Sequence, residues 1–185
     1  MLILDPLDGS RNYEAGYPAY SFAIAWADRE KPRFSDVQAS LVLDLATGTE
    51  YSSINGIGFF VNSKKTIAKP VERLNPLISG DFGASRTAKT VFPKLAEFAY
   101  LRMLGASTLD MALLARGALD AYVDVRKQLL VTHTAGLALM RDSGAIMTDA
   151  NGNEINPLMN QDTAYTVIAA RDRKLHKRIL GICNQ

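Results

Sequence analysis

The hexapeptide Asp5-Pro6-Leu7-Asp8-Gly9-Ser10 closes a short apolar run, Met1 to Leu4, and decides how the rest of the chain is read. Two carboxylates stand three residues apart at the end of what the apolar run predicts to be a buried strand. Pro6 fixes its own φ and biases Asp5 toward extended geometry. Gly9 permits a sharp turn. Such a turn aims both carboxylates and the Leu7 carbonyl at one point, a set of hard oxygen donors suited to Mg²⁺. The N–H groups of Gly9 and Ser10 then face outward, where an anion can sit. Together these residues describe a place for a phosphate group and the metal that polarises it. Asp-Pro and Asp-Gly are also common turn formers, so the hexapeptide alone leaves an ordinary turn open. The spacing excludes an Asp-x-Asp phosphotransferase motif, because carboxylates two and three residues apart on a strand point in different directions.

Working outward, Tyr20 to Ala27 alternates large and small residues as a half-buried strand does. A charged turn, Asp28 to Pro32, leads to a partner strand over Asp36 to Leu45, with Leu41, Leu43 and Leu45 on one face. Short strands follow at Glu50 to Ser53 and Gly56 to Asn62. Residues 1–70 therefore read as an antiparallel meander that carries the metal motif. Past Pro70 the pattern becomes mixed, and residues 71–185 read as an α/β half. Strands are expected at Leu77–Gly80, Tyr100–Leu104, Leu119–Val125, Ile146–Thr148 and Thr166–Ala170. Helices are expected at Thr90–Phe98, at Ser107–Arg116 capped by Ser107, at Thr132–Asp142 stopped by Ser143-Gly144, and from about Asp172. Asn151-Gly152 reads as a tight hairpin turn. Strands and helices without regular βαβ alternation argue for α+β layers in one domain spanning 1–185.

Composition agrees with one globular domain: 185 residues, 48% hydrophobic and 22% charged, with a net charge of +2. That charge is too small to argue for nucleic acid. The basic cluster Arg171, Arg173, Lys174, Lys177 and Arg178 reads as the solvated face of a terminal helix. A single cysteine, Cys183, excludes an internal disulfide framework and fits a reducing, cytoplasmic setting. No apolar run approaches the ~18 residues of a membrane span, and the N-terminus does not read as a signal peptide. There is no GxxxxGK loop and no GxSxG elbow.

Two further groups carry candidate chemistry. Asp124 ends a predicted strand, where it is either a substrate-facing acid or a plain surface acid. His133, in Thr132-His133-Thr134-Ala135-Gly136, is a base, a ligand or a structural residue, and Thr132 suits a capping role.

These groups resemble, in order and spacing, the inositol monophosphatase family. Asp5 to Ser10 is similar to its DP(I/L)DG(T/S) motif, and Asn12-Tyr13 to the Asn-aromatic pair after it. Gly56 to Asn62 resembles its G-x-G-x-x-x-N segment, Arg102 to Asp124 its helix and acid-ended strand, and Thr132 to Asp149 its WDxAAGxxIxxEAGGxxTD motif. The resemblance implies a layered α/β sandwich of the inositol monophosphatase and fructose-1,6-bisphosphatase type. It implies Mg²⁺-dependent hydrolysis of small phosphate monoesters such as inositol or sugar phosphates. It further implies that Asp5, the Leu7 carbonyl, Asp8 and Thr132 occupy metal-ligand positions, and that Gly9 and Ser10 hold the phosphate. Asp5 and Ser10 take the catalytic positions, with the Ser10 hydroxyl orienting the attacking water, and Asp124 and Ser107 take substrate-side positions.

Two departures set further expectations. The family carries a segment before DPxDG that supplies helices and a Glu pair, and the chain is expected to be N-terminally truncated relative to it. Thr132 replaces the aspartate of the last motif. Loss of general-base help costs typically ~10²–10⁴-fold, so activity is expected to be weak or lost, with a non-catalytic binding module or a truncated product as alternatives. Without covering helices, the apolar face around Phe22, Ile24 and Trp26 is expected to lie open and to be buried in a homodimer or larger oligomer.

Overall fold

The computed structural model describes residues 1–68, 73–81 and 85–184. The division expected at residues 70/71 lies outside them. The first half is a six-stranded antiparallel meander: β1 (Leu2–Asp8), β2 (Ser21–Ala27), β3 (Val37–Asp44), β4 (Glu50–Ile54), β5 (Gly58–Val61) and β6 (Lys64–Lys65), in that order across the sheet. A short helix, α1 (Ser10–Glu14), fills the β1–β2 connection. The second half holds β7 (Leu77–Gly80), α2 (Arg86–Ala96), β8 (Tyr100–Arg102), α3 (Ser107–Arg116), β9 (Ala121–Leu130), α4 (Thr134–Asp142), β10 (Ile146–Thr148), β11 (Ala164–Ala170) and α5 (Arg173–Cys183). Its sheet runs β10-β11-β9-β7-β8, with β7 parallel to both neighbours and the other pairs antiparallel.

Two hydrophobic clusters fix the layering. One joins Ala23, Ala25, Val42, Tyr51 and Phe59 of the first sheet to α3, α4 and the near face of β9 and β11. The other joins the far face, through Ile78, Ala121, Val123 and Ile168, to Val91, Leu95 and Ile179 of α2 and α5. The order is sheet, helices α3 and α4, sheet, helices α2 and α5, which is the α+β layered sandwich expected. Alternation along β9 sends Ala121, Val123 and Val125 to the far side and Tyr122 and Asp124 toward α3 and α4.

The alternation along β2 carries information beyond its period. Ser21, Ala23, Ala25 and Ala27 are buried, whereas Phe22 and Ile24 are half-buried and Trp26 is exposed. The small residues face α3 and α4, so the helices approach the strand closely. Leu41 and Leu43 join the bulky face, which forms a shallow groove with Leu2, Ile54 and Phe60. The open face expected from the sequence is therefore present.

Several local readings are corrected. Ser107 does not cap α3; the N-cap is Ala106, and Ser107 is the first helical residue. Asp8 Oδ2 instead accepts the Thr108 N–H at 2.6 Å, so a carboxylate from another strand does the capping. The helix expected from Thr132 opens with a 3₁₀ turn, Val131–His133, and becomes α-helical at Thr134, whose hydroxyl donates to the Val131 carbonyl at 2.5 Å. Asn151-Gly152 lies in a turn closed by Gly152 N–H to the Asp149 carbonyl, and β10 pairs with the more distant β11 rather than forming a two-residue hairpin. Arg171 is not on a solvated helix face. Half-buried ahead of α5, it donates to the carbonyls of Ala115 and Ala68. Arg173, Lys174, Lys177 and Arg178 do face solvent, while His176 and Ile179 turn inward.

The helix layer depends on close approach of α3 and α4. A Cβ on Gly136 would sit 2.6 Å from Met111 Sδ, 3.0 Å from Met111 Cβ and 3.2 Å from the Thr108 Cα. Two of those three atoms cannot swing away. Gly136→Ala is expected to destabilise the fold by ~1–3 kcal/mol, measured by urea unfolding; an unchanged midpoint would mean that the helices separate without penalty.

Candidate metal and phosphate site

Asp5 and Asp8 are an odd number of residues apart, so a regular strand would send them to opposite faces. The strand is not regular there. Asp5 pairs with Ala23 and Asp8 with Ser21, so three steps along β1 match two along β2. The extra residue is a bulge at Pro6-Leu7, where a proline without an N–H is tolerated. Because Ala23 and Ser21 share the inner face, the bulge turns both carboxylates to that face. The Leu7 N–H donates to Asp5 Oδ1 at 3.3 Å. Gly9 follows with φ +83°, and a Cβ there would stand 2.8 Å from the Ala19 carbonyl oxygen, so only glycine fits. Ser10 then opens α1, exposed to solvent. Asn12 holds this loop down, its amide donating to the carbonyls of Ala19 at 2.7 Å and Leu104 at 2.6 Å.

The 3₁₀ turn at Val131–His133 brings the second motif to the same place. Asp5, Asp8 and His133 offer ligand atoms that all lie within 4.8 Å of one another. Thr132 sits half-buried beside them, its side chain near enough to Asp5 to act on its carboxyl. Burial, then the neighbouring Asp8 charge, raises the Asp5 carboxyl above its ordinary value; His133, the Leu7 N–H and Thr132 pull it partly back. Two neighbouring carboxylates, one of them with its proton affinity raised, are what a cation would relieve. The carboxylate oxygens of Asp5 and Asp8 are donors that suit a hard ion such as Mg²⁺, whereas the imidazole of His133 is not.

Behind this pair lies a polar layer that the sequence reading missed. Asp8 Oδ2 accepts both the N–H and the hydroxyl of Thr108, at 2.6 and 2.7 Å, and that hydroxyl meets Ser21 Oγ at 2.8 Å. Asp110, 2% exposed, takes the Ser79 hydroxyl. The Tyr122 hydroxyl is buried and, among the described residues, has no hydrogen-bond partner of good geometry, although Ser107 lies near enough to act on it. Burial, then the charges of Asp124 and Asp110, pushes that phenol well above its ordinary range. The available signal was Thr108-x-Asp110 on the first turn of a helix, two polar residues on a face that must be buried.

The expected substrate-side residues are placed less openly. Ser107 is half-buried at the start of α3. Asp124 is fully buried, held by Arg126 through Nε at 3.1 Å and Nη2 at 2.7 Å, and Arg126 also reaches Asp81 at 2.5 Å. The structure thus brings ligand atoms of Asp5, Asp8 and His133 together, with Thr132 beside Asp5, while Leu7 and Gly9 adjoin the two carboxylates in sequence and Ser107 and Asp124 lie in the polar layer behind.

The family model described as the inositol monophosphatase family matches residues 1–185. The chain belongs to the inositol monophosphatase family. It is 32% identical to fructose-1,6-bisphosphatase of Pyrococcus furiosus, over 98% of this chain and 68% of that protein. It is 29% identical to a fructose-1,6-bisphosphatase/inositol-1-monophosphatase of Methanothermobacter thermautotrophicus, over 97% of this chain and 66% of that one. A solved Pyrococcus horikoshii structure, described as having similarities to inositol-1 monophosphatase, superposes with TM-score 0.83 at 31% identity, over 97% of this chain and 68% of that chain. The chain therefore spans about two thirds of the length of these relatives.

Asp110 gives a prediction with a definite sign. Burial raises its carboxyl well above the ordinary value of 3.8, with Asp8 and Asp81 adding and Ser79 opposing. The folded state then holds a proton that the unfolded chain releases, so stability falls as pH rises from about 4 upward. Asp110→Asn keeps the shape and removes the titration. Its thermal midpoint, measured in EDTA, is expected to fall less steeply between pH ~4 and ~7 than that of the natural sequence; parallel slopes would show that Asp110 ionises without cost.

Proposed function

We propose that this chain is the metal- and phosphate-holding part of a phosphoric monoester hydrolase, acting on small phosphorylated polyols or sugars such as inositol or sugar phosphates. The observation that carries the reading is the bulge at Pro6-Leu7, which turns Asp5 and Asp8 to one face beside the Gly9 turn. Asp5, Asp8 and the Leu7 carbonyl are the donors for Mg²⁺. Gly9 and Ser10 receive the phosphate through their N–H groups, which precede the hydrogen-bonded turns of α1. Asp5 and the Ser10 hydroxyl are the catalytic groups, the hydroxyl orienting the attacking water. A cation bound there supplies Lewis-acid polarisation of the phosphoryl oxygens. Asp124 and Ser107 line the substrate side. Thr132 offers a neutral hydroxyl where the family motif has aspartate, which weakens the cation field and makes turnover slow.

One observation favours a second reading, a phosphatase fold that binds phosphorylated ligands without hydrolysing them. Asp124, the acid assigned to substrate, is buried and committed to Arg126. In either reading the setting is cytoplasmic, in keeping with the lone Cys183; among the described residues no helix is long and apolar enough to cross a membrane.

We also read the open face of the first sheet as the contact of a homodimer. Trp26 is 44%, Leu2 66% and Ile54 44% exposed on one groove, a contiguous apolar surface of the kind that finds a partner.

Two experiments test these readings. Calorimetric titration with Mg²⁺ is expected to show binding that Asp8→Asn weakens at least ~10-fold, and hydrolysis of an inositol or sugar phosphate lost in the same variant selects the catalytic reading. Absence of Mg²⁺ binding at millimolar concentration would remove it. Size-exclusion with light scattering is expected to give a dimer that Trp26→Glu dissociates; a monomer at all concentrations would sink the homodimer.

A further inference from the structure

We propose that His133 serves as a nitrogen ligand in the place of the family's aspartate, and that it turns the site's preference from Mg²⁺ toward divalent ions that accept imidazole, such as Mn²⁺ and Co²⁺. The inference rests on reading Asp5 and Asp8 as a metal pair, and goes beyond it by naming the ion class and the third ligand.

Position comes first. A ring nitrogen of His133 lies within 4.8 Å of a carboxylate oxygen of both Asp5 and Asp8. Thr132, the residue at the aspartate position, is neutral and lies beside Asp5. The ring is also held. The Leu130 N–H donates to Nδ1 at 3.0 Å, and the Leu130 carbonyl oxygen lies 3.2 Å from the same nitrogen. With Nδ1 turned to that backbone, Nε2 is the nitrogen left for the carboxylates. Ligation through Nε2 therefore requires the ring proton to move to Nδ1, which then donates to the Leu130 carbonyl in place of accepting the Leu130 N–H, so that Nε2 presents its lone pair. A backbone carbonyl holding the far ring nitrogen is the arrangement that usually orients a metal-bound histidine.

Charge and hardness agree. Asp5 and Asp8 supply two negative charges, which one divalent cation balances, and a neutral imidazole completes the set without excess charge. Mg²⁺ gives up water reluctantly and favours oxygen donors. Imidazole suits first-row transition ions, and affinity for such sites rises from Mn²⁺ to Co²⁺. The site is traceable, because the chain has two histidines and the other, His176, is buried and bonded to the Thr148 hydroxyl at 3.1 Å.

The test titrates the full chain with Mg²⁺, Mn²⁺ and Co²⁺ by calorimetry, and examines the Mn²⁺ form by pulsed electron paramagnetic resonance for coupling to a ligand nitrogen. The natural sequence is expected to bind Co²⁺ at least ~10-fold more tightly than Mg²⁺ and to show nitrogen coupling. His133→Gln is expected to lose the coupling and ~10-fold or more in Co²⁺ affinity while Mg²⁺ affinity changes little. Thr132→Asp is expected to tighten Mg²⁺ binding, since it adds a carboxylate. Binding that depends on Asp8 but shows no nitrogen coupling overturns the His133 proposal and leaves the metal pair standing. Absence of Asp8-dependent binding for every ion overturns both. The coupling is read on the natural sequence, so it decides even where His133→Gln fails to fold.

Discussion

One oxygen atom, Asp8 Oδ2, joins three parts of the molecule. It accepts two hydrogen bonds from Thr108, whose hydroxyl in turn meets Ser21, so β1, β2 and α3 share a single polar junction. Hydrogen bonds to a charged group are each worth ~1.5–3 kcal/mol. The same contact closes the N-terminus of α3, which has an alanine at its cap. Because Oδ2 is committed, Oδ1 is the oxygen left for a cation. Asp8 is thus structural through one oxygen and, in the proposed reading, takes the cation through the other. Replacing it disturbs helix, strand and site together, unless the replacement keeps an acceptor at Oδ2, as asparagine does.

The fold was legible where it depended on local patterns. The meander, α3, α5 and the strands of the second sheet followed from alternation, helical spacing and turn residues. The Asp5–Asp8 pair was legible as a motif, but its geometry was not. Three-residue spacing points two strand residues apart, and only the bulge at Pro6-Leu7 brings them together. A lone proline in a strand hints at such a bulge without showing which way it turns. Ser107 was misread as a cap because its residue type is right for the role; the capping group came from 100 residues away in sequence, where no window can find it. His133 was visible as a residue, but its proximity to the carboxylates depends on a 3₁₀ turn rather than the α-helix its neighbours suggest.

The polar layer behind the site shows how the protein carries charge into its interior. Asp124 is matched by Arg126, which is matched again by Asp81. Asp110 has no cation partner among the described residues; burial pushes its carboxyl well above the ordinary value, toward the neutral form, with Ser79 alongside. These are the two solutions open to a buried carboxylate, pairing or neutralisation. Both appear within one layer, and Tyr122 stands between them with its hydroxyl near Ser107.

The contacts that complete the site span long stretches of chain: Asn12 to Leu104 is 92 residues, Ser21 to Thr108 is 87. The meander closes through neighbours in sequence and can assemble early, whereas these bridges wait for loop closure over half the chain. A nascent or partly folded chain therefore displays both carboxylates without the junction that orients them. In the proposed reading, a cation that binds only the finished site would draw the folding equilibrium toward the native state by mass action.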